Sequence, residues 1–185
     1  MSLKVRMMPL MILACLLIAG PPATAQDRHE LTFSAGGGSI LVREGGGAMP
    51  VFSFSYQFHF TKHVSAEGAL DFFTYPFLTG PPDNQVRYRD DYTGAEAALV
   101  YHFRSICDTG KWVPFVAAGI GKTTTDFTEI PAEIYYRFGA GVAYNFSGRF
   151  GVRVEARDEV ISHLYGNGGP HGNIPSLRFG IAYRF

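Results

Sequence analysis

Cysteine is nearly absent: the 185 residues contain two, Cys15 and Cys107. Cys15 lies in an N-terminal segment with leader anatomy, so the exported chain keeps one thiol and no internal disulfide can staple its fold. An excess of either charge is lacking too, since 16 basic residues balance 16 acidic ones. That balance excludes an electrostatically driven nucleic-acid binder. Beyond residue 25 no stretch approaches the roughly 18 consecutive apolar residues of a membrane helix. What the chain does have is rings. With 16 Phe and 10 Tyr, it carries enough apolar surface to offset the entropy of ordering, and its length suits one domain.

The leader is read first. Lys4 and Arg6 precede an apolar run from Met7 to Gly20, which ends in Pro21, Pro22 and Ala23-Thr24-Ala25. This is the pattern of a secretory signal peptide cleaved after Ala25, giving domains 1–25 (signal peptide) and 26–185 (mature chain). Leu13 stands where a lipidation box before Cys15 would have a small residue.

The mature chain alternates. Phe52, Phe54, Tyr56, Phe58 and Phe60 interleave with Ser53, Ser55, Gln57 and His59. Residues 134–146 place Ile134, Tyr136, Phe138, Val142, Tyr144 and Phe146 on one parity and Tyr135, Arg137, Gly139, Gly141 and Asn145 on the other. Leu177, Phe179, Ile181, Tyr183 and Phe185 repeat the pattern against Arg178, Gly180, Ala182 and Arg184. A period of two is a strand signature. Weaker versions predict strands near 30–40, 64–73, 92–103, 113–121 and 151–157, which brings the total to eight. Pro50, Pro114 and Pro175 are placed at strand starts, where a missing donor costs little.

Connectors 61–63 and 147–149 are tight, whereas 77–90, 122–132 and 158–174 are long and rich in Gly, Pro, Asp and Asn. In an outer-membrane barrel short turns face the periplasm and long loops face outward. By alternation connector 104–111 joins the short set, and both termini are expected in the periplasm.

The ring-bearing face must point outward. An eight-stranded barrel has room inside only for side chains to fill it, and this aromatic set is too bulky for that space. The opposite face, rich in Ser, Gly and Ala, then lines the lumen. By parity it carries Glu67, Asp71, Glu96, His102, Arg137, Arg153, Glu155, Arg157, Arg178 and Arg184. Charges sealed in so small a space must pair, because an isolated buried ion costs several kcal/mol or more. The expectation is a salt-bridged plug with no metal and no cofactor. Water-filled pores need about 16 to 18 strands.

The final residues, Arg178-Phe179-Gly180-Ile181-Ala182-Tyr183-Arg184-Phe185, resemble the terminal assembly signal of Gram-negative outer-membrane barrels. Gly180, Tyr183 and Phe185 carry the likeness. The mature chain resembles the small eight-stranded outer-membrane barrels, which include the opacity proteins and the outer-membrane protein A and X types. That resemblance implies an all-β, antiparallel up-and-down transmembrane barrel in the cell outer membrane. It also implies insertion by the barrel-assembly machinery and contact with outer-membrane lipid and lipopolysaccharide. Tyr101, Phe103, Trp112, Tyr144 and Phe146 are expected to join Tyr183 and Phe185 in an interfacial girdle.

Several motifs compete with this reading. Gly119-Ile120-Gly121-Lys122-Thr123 ends like a phosphate-binding loop, but Val116 occupies the first glycine position. Gly110-Lys111-Trp112 imitates a lipocalin motif in the wrong part of the chain, and Asn145-Phe146-Ser147 is a formal sequon at a strand end. His59 and His102 sit on non-neighbouring strands, a poor metal site, and pairing with Glu96 or water is the simpler reading. Ser162-His163 with Glu159 or Asp158 could form the nucleophile, base and acid of a lipid A deacylase-like hydrolase. The His-x-Ser-Asn order of that family is missing from His163-Leu164-Tyr165-Gly166-Asn167. Loop 79–92, with Arg87 and Arg89 among Asp83, Asp90 and Asp91, is the candidate for polar surface contacts. The expected function is a non-enzymatic barrel with a structural, adhesive or surface-interaction role. The deacylase and a soluble periplasmic lipocalin-like ligand binder are the alternatives.

Overall fold

The computed structural model describes residues 28–42, 45–79, 86–103, 111–125, 133–161 and 172–185. Eight strands follow in chain order: β1 (His29–Val42), β2 (Gly45–His59), β3 (Val64–Thr79), β4 (Val86–His102), β5 (Trp112–Thr125), β6 (Glu133–Asn145), β7 (Phe150–Ile161) and β8 (Gly172–Arg184). Each pairs antiparallel with the next, and β1 pairs with β8, so the sheet closes into a barrel. Closure leaves no unpaired edge, the condition for strands to cross a bilayer whose interior offers no hydrogen-bonding solvent.

The alternation in sequence becomes alternation in space. Phe33, Phe138, Phe179 and Ile181 are 58%, 56%, 57% and 62% exposed on the outer wall, while Arg137 and Asp71 are fully buried. This orientation excludes the lipocalin-like alternative, which needs the rings inside around a ligand. Trp112 lies 4.5 Å from Tyr144, Tyr101 is 5.0 Å from Phe103 and Tyr183 is 5.9 Å from Phe185, all in ring-centroid distance. These pairs sit at the end of the barrel that carries Arg28, Phe185 and the tight turns 60–63 and 146–149.

The strands are longer than the sequence signals. β3 and β4 span 16 and 17 residues and pair as far as Leu78↔Arg87 and Thr79↔Val86. Residues 86–92, expected in a loop, therefore belong to β4, and residues 158–161 and 172–174 extend β7 and β8. Pro50 lies inside β2, not at its start, with its ring on the exposed wall. Lys122 and Thr123 continue β5, so the loop-like glycine motif is extended strand. At about 3.3 Å per residue and a tilt near 45°, 17 residues rise roughly 40 Å, more than an apolar band about 25 Å tall.

Candidate functional site: the filled lumen

Inward positions of β3 and β4 supply carboxylates, those of β6 and β8 guanidinium groups and those of β7 both, so ion pairs run across the barrel as well as between adjacent strands. Arg137 on β6 is the hub. Its Nη1 donates to Glu67 Oε1 at 2.6 Å and to Glu96, and its Nη2 donates to Glu155 Oε1 at 2.6 Å. Arg153 Nη1 donates to the second oxygen of Glu67 at 2.6 Å, and its Nη2 lies 3.0 Å from Glu155 Oε2. Arg157 Nη1 reaches Glu96 Oε1 at 2.8 Å and Asp71 Oδ2 at 3.2 Å. Arg178 donates to Asp71 Oδ1 and Glu159 Oε1, each at 2.5 Å. Such charge-assisted bonds are stronger than neutral ones, and their mutual contacts offset the desolvation that burial imposes.

Backbone choices make room for the network. A Cβ on Gly139 would stand 2.5 Å from Glu155 Oε1, and one on Gly121 would meet the ring of Tyr135, its register partner on β6. With that space free, Tyr135 lies flat enough for its hydroxyl to donate to Glu96 Oε2 at 3.1 Å.

Of the residues expected in the plug, Glu67, Asp71, Glu96, Arg137, Arg153, Glu155, Arg157 and Arg178 meet in this one network. Arg184 does not join it. Its Nε donates to Glu30 Oε2 at 2.7 Å across the β1–β8 seam, where the two residues are register partners. His102 is also separate: its Nε2 lies 2.9 Å from Ser65 Oγ and 3.2 Å from Gln57 Nε2, while Gln57 donates to Ser65 at 2.6 Å. The His59 ring lies 5.2 Å from that of His102, tilted by 40°. The hydrogen bonds of Glu96 go to Arg137, Arg157 and Tyr135, so the sequence-based pairing of His102 with Glu96 gives way to a polar cluster nearer the terminal end.

Sequence reasoning missed Glu30, Tyr135 and Glu159. Parity could have found all three: Glu159 continues the inward series Arg153, Glu155, Arg157, and Glu30 precedes Thr32 and Ser34 on the same face. As a carboxylate buried in the lumen and held by Arg178, Glu159 is not on the outer wall where a hydrolase acid would be needed. Ser162 and His163 lie outside the described residues, as do Asp83 and Cys107. Asp71, Glu96 and Glu159 bring oxygens within 4.8 Å of one another, the spacing of a cation site. Arg157 and Arg178 already supply the positive charge there.

Apolar side chains pack above and below this layer. At the end remote from the termini, Met49, Val51, Phe73, Tyr135, Ile161 and Ile174 form a buried apolar cluster, with Tyr92 stacked on Phe73 at 5.2 Å. Toward the terminal end, Val100, Phe115 and Ala117 pack together, and Arg153 lies 4.1 Å over the Phe115 ring. A void of about 10 Å³ beside Thr32, Ser34, Ser53 and Ser55 has room for about one water molecule. Among the described residues the lumen holds paired charge between two apolar layers.

The closed eight-stranded barrel also matches known proteins. The family model described as the outer membrane protein β-barrel domain aligns with residues 11–185. The chain belongs to that family. This outer-membrane barrel shares its fold with the neisserial surface protein A NspA, with a TM-score of 0.62 at 13% identity, covering 85% of this chain and 97% of that one. OprG of Pseudomonas aeruginosa follows with a TM-score of 0.58 at 10% identity, covering 86% and 97%. Ail, the attachment invasion locus protein of Yersinia pestis, gives 0.55 at 12%, covering 86% and 99%. No curated protein sequence matches the chain. Family membership places the barrel in the cell outer membrane, with its aromatic wall against lipid.

Proposed function

We propose that this outer-membrane barrel is a non-enzymatic, non-conducting scaffold that carries surface loops. In this reading residues 1–25 direct export and are removed, the termini and tight turns face the periplasm, and the long connectors face the exterior. The barrel-assembly machinery inserts the chain through its Gly180, Tyr183 and Phe185 signal, and the outer rim contacts lipopolysaccharide. The observation that supports the reading is the filled lumen: four arginines and five carboxylates cross-link five strands, with packed apolar side chains on either side. Rigidity of this kind suits a platform for loops better than a channel or a ligand cavity. The long β3–β4 hairpin carries Asp91 beyond the apolar band, where Thr74 Oγ1 donates to its carboxylate at 2.7 Å.

The test has two arms. Protein folded in detergent should migrate differently before and after boiling and, in planar bilayers, should give no sustained ion conductance. Incubation with purified lipopolysaccharide should leave its acyl chains attached. Steady conductance would overturn the plug, and fatty-acid release abolished by Ser162→Ala would overturn the non-enzymatic reading.

A further inference from the structure

The outer wall has one feature that lipid solvation alone does not explain. Asp158 on β7 points outward, in register with Phe138 on β6 and Pro175 on β8. A carboxylate against the apolar band is unfavourable, and its cost falls only near the interfaces. Eight residues along β7 from Phe150, whose ring lies 5.1 Å from that of the girdle residue Tyr183, Asp158 stands roughly 20 Å higher, close to the interface remote from the termini. Its two oxygens differ. Oδ2 accepts a hydrogen bond from Asn173 Nδ2 at 3.3 Å, whereas Oδ1 is shielded from solvent and has no hydrogen-bond partner among the described residues.

Asp158 also lines an open apolar depression of the outer wall, whose stretch from β5 to β1 lies beside it. Register explains the groove. Val116, Ala140, Ala156, Leu177 and Gly37 are successive partners across β5, β6, β7, β8 and β1. Small side chains at Ala140, Ala156 and Gly37 form its floor, and Phe138 and Leu177, 56% and 46% exposed, stand up beside it. From Val116 to Gly37 this stretch crosses four strand spacings of about 4.8 Å, roughly 19 Å.

We propose that this groove and Asp158 form a binding site for a membrane amphiphile that carries a protonated amine next to its acyl chain. The chain lies on the alanine floor against Phe138 and Leu177. The ammonium donates to the groove-facing part of the Asp158 carboxylate, supplying the counter-charge that Asn173 does not. An amine fits better than an alcohol because a charge-assisted bond to a carboxylate in a low-dielectric surrounding is about twice as strong as a neutral one. An anionic headgroup is repelled. The inference goes beyond the scaffold reading and requires only that this wall face lipid.

The experiment uses the full mature barrel folded in a nonionic detergent, with retention of hexadecylamine, hexadecanol and hexadecanoic acid read by native mass spectrometry. Hexadecylamine should be retained at least about tenfold more than the alcohol, with the acid weakest. Asp158→Asn should lower amine retention to the level of the alcohol. Ala140→Phe, which fills the floor and leaves Asp158 in place, should lower retention of amine and alcohol together. Both variants should keep the boiling-dependent gel shift, so a failure of the barrel itself would be seen separately. Equal retention of the three amphiphiles, or an unchanged preference in Asp158→Asn, would overturn the proposal.

Discussion

Arg137 concentrates the energetic argument in one side chain. It is fully buried and binds Glu67, Glu96 and Glu155 from three different strands. Deleting it would leave three carboxylates crowded in a space that admits almost no water, and breaking a buried ion pair from one side costs about 3–5 kcal/mol. Arg137→Ala should therefore lose at least that much. Asp91→Ala removes an exposed carboxylate that accepts one hydrogen bond from Thr74, and should change stability by no more than about 1 kcal/mol. Guanidinium titration of the refolded barrel, followed by the emission of Trp112, the only tryptophan in the chain, measures both. Equal midpoints would refute the view that the ion network holds the barrel together.

At the scale of the strand, what the sequence could reveal depends on where a segment stands relative to lipid. Inside the apolar band one face meets acyl chains and the other the lumen, so β2, β6 and β8 write their alternation openly in residues 52–60, 134–146 and 177–185. Beyond the band that contrast lapses. Val86-Arg87-Tyr88-Arg89-Asp90-Asp91 and the glycine-rich start of β2 carry little two-residue pattern, although both pair as regular strand. The adjacent acids Asp158 and Glu159 look like loop for a related reason: one points to lipid and the other to Arg178, and composition cannot distinguish them from a solvated pair. Parity assigned which residues face inward, but it could not say which arginine meets which carboxylate. Those choices depend on gaps such as Gly121, where the Tyr135 ring lies across β5. Gly121→Val should drive that ring off its place and cost about 1–3 kcal/mol through overpacking. In a Tyr135→Ala background the same substitution should cost much less, and a double-mutant cycle by chemical unfolding gives the coupling directly. Additive effects would show that the glycine serves some other purpose.

For the molecule as a whole, the inside-out distribution of rings and ions has meaning only in a bilayer. In water the exposed Phe33, Phe138, Phe179 and Ile181 would form a continuous apolar surface of the kind that drives aggregation. In lipid the same surface is solvated, and the lumen network supplies the cohesion that a soluble core would otherwise give. The cost of a charge on the wall should then follow depth. Phe179 lies between the girdle and the opposite rim, six residues before the terminal Phe185, whereas Phe146 stands at the tight-turn end, 6.5 Å from Phe150 in ring-centroid distance. Phe179→Arg should destabilise the barrel by about 2–4 kcal/mol, and Phe146→Arg, near the interface, by about 0–1 kcal/mol for the charge itself. Reversible unfolding from phospholipid vesicles measures the difference. If the two variants unfold alike, depth has no bearing on the cost, and the wall is not in contact with acyl chains as the fold requires.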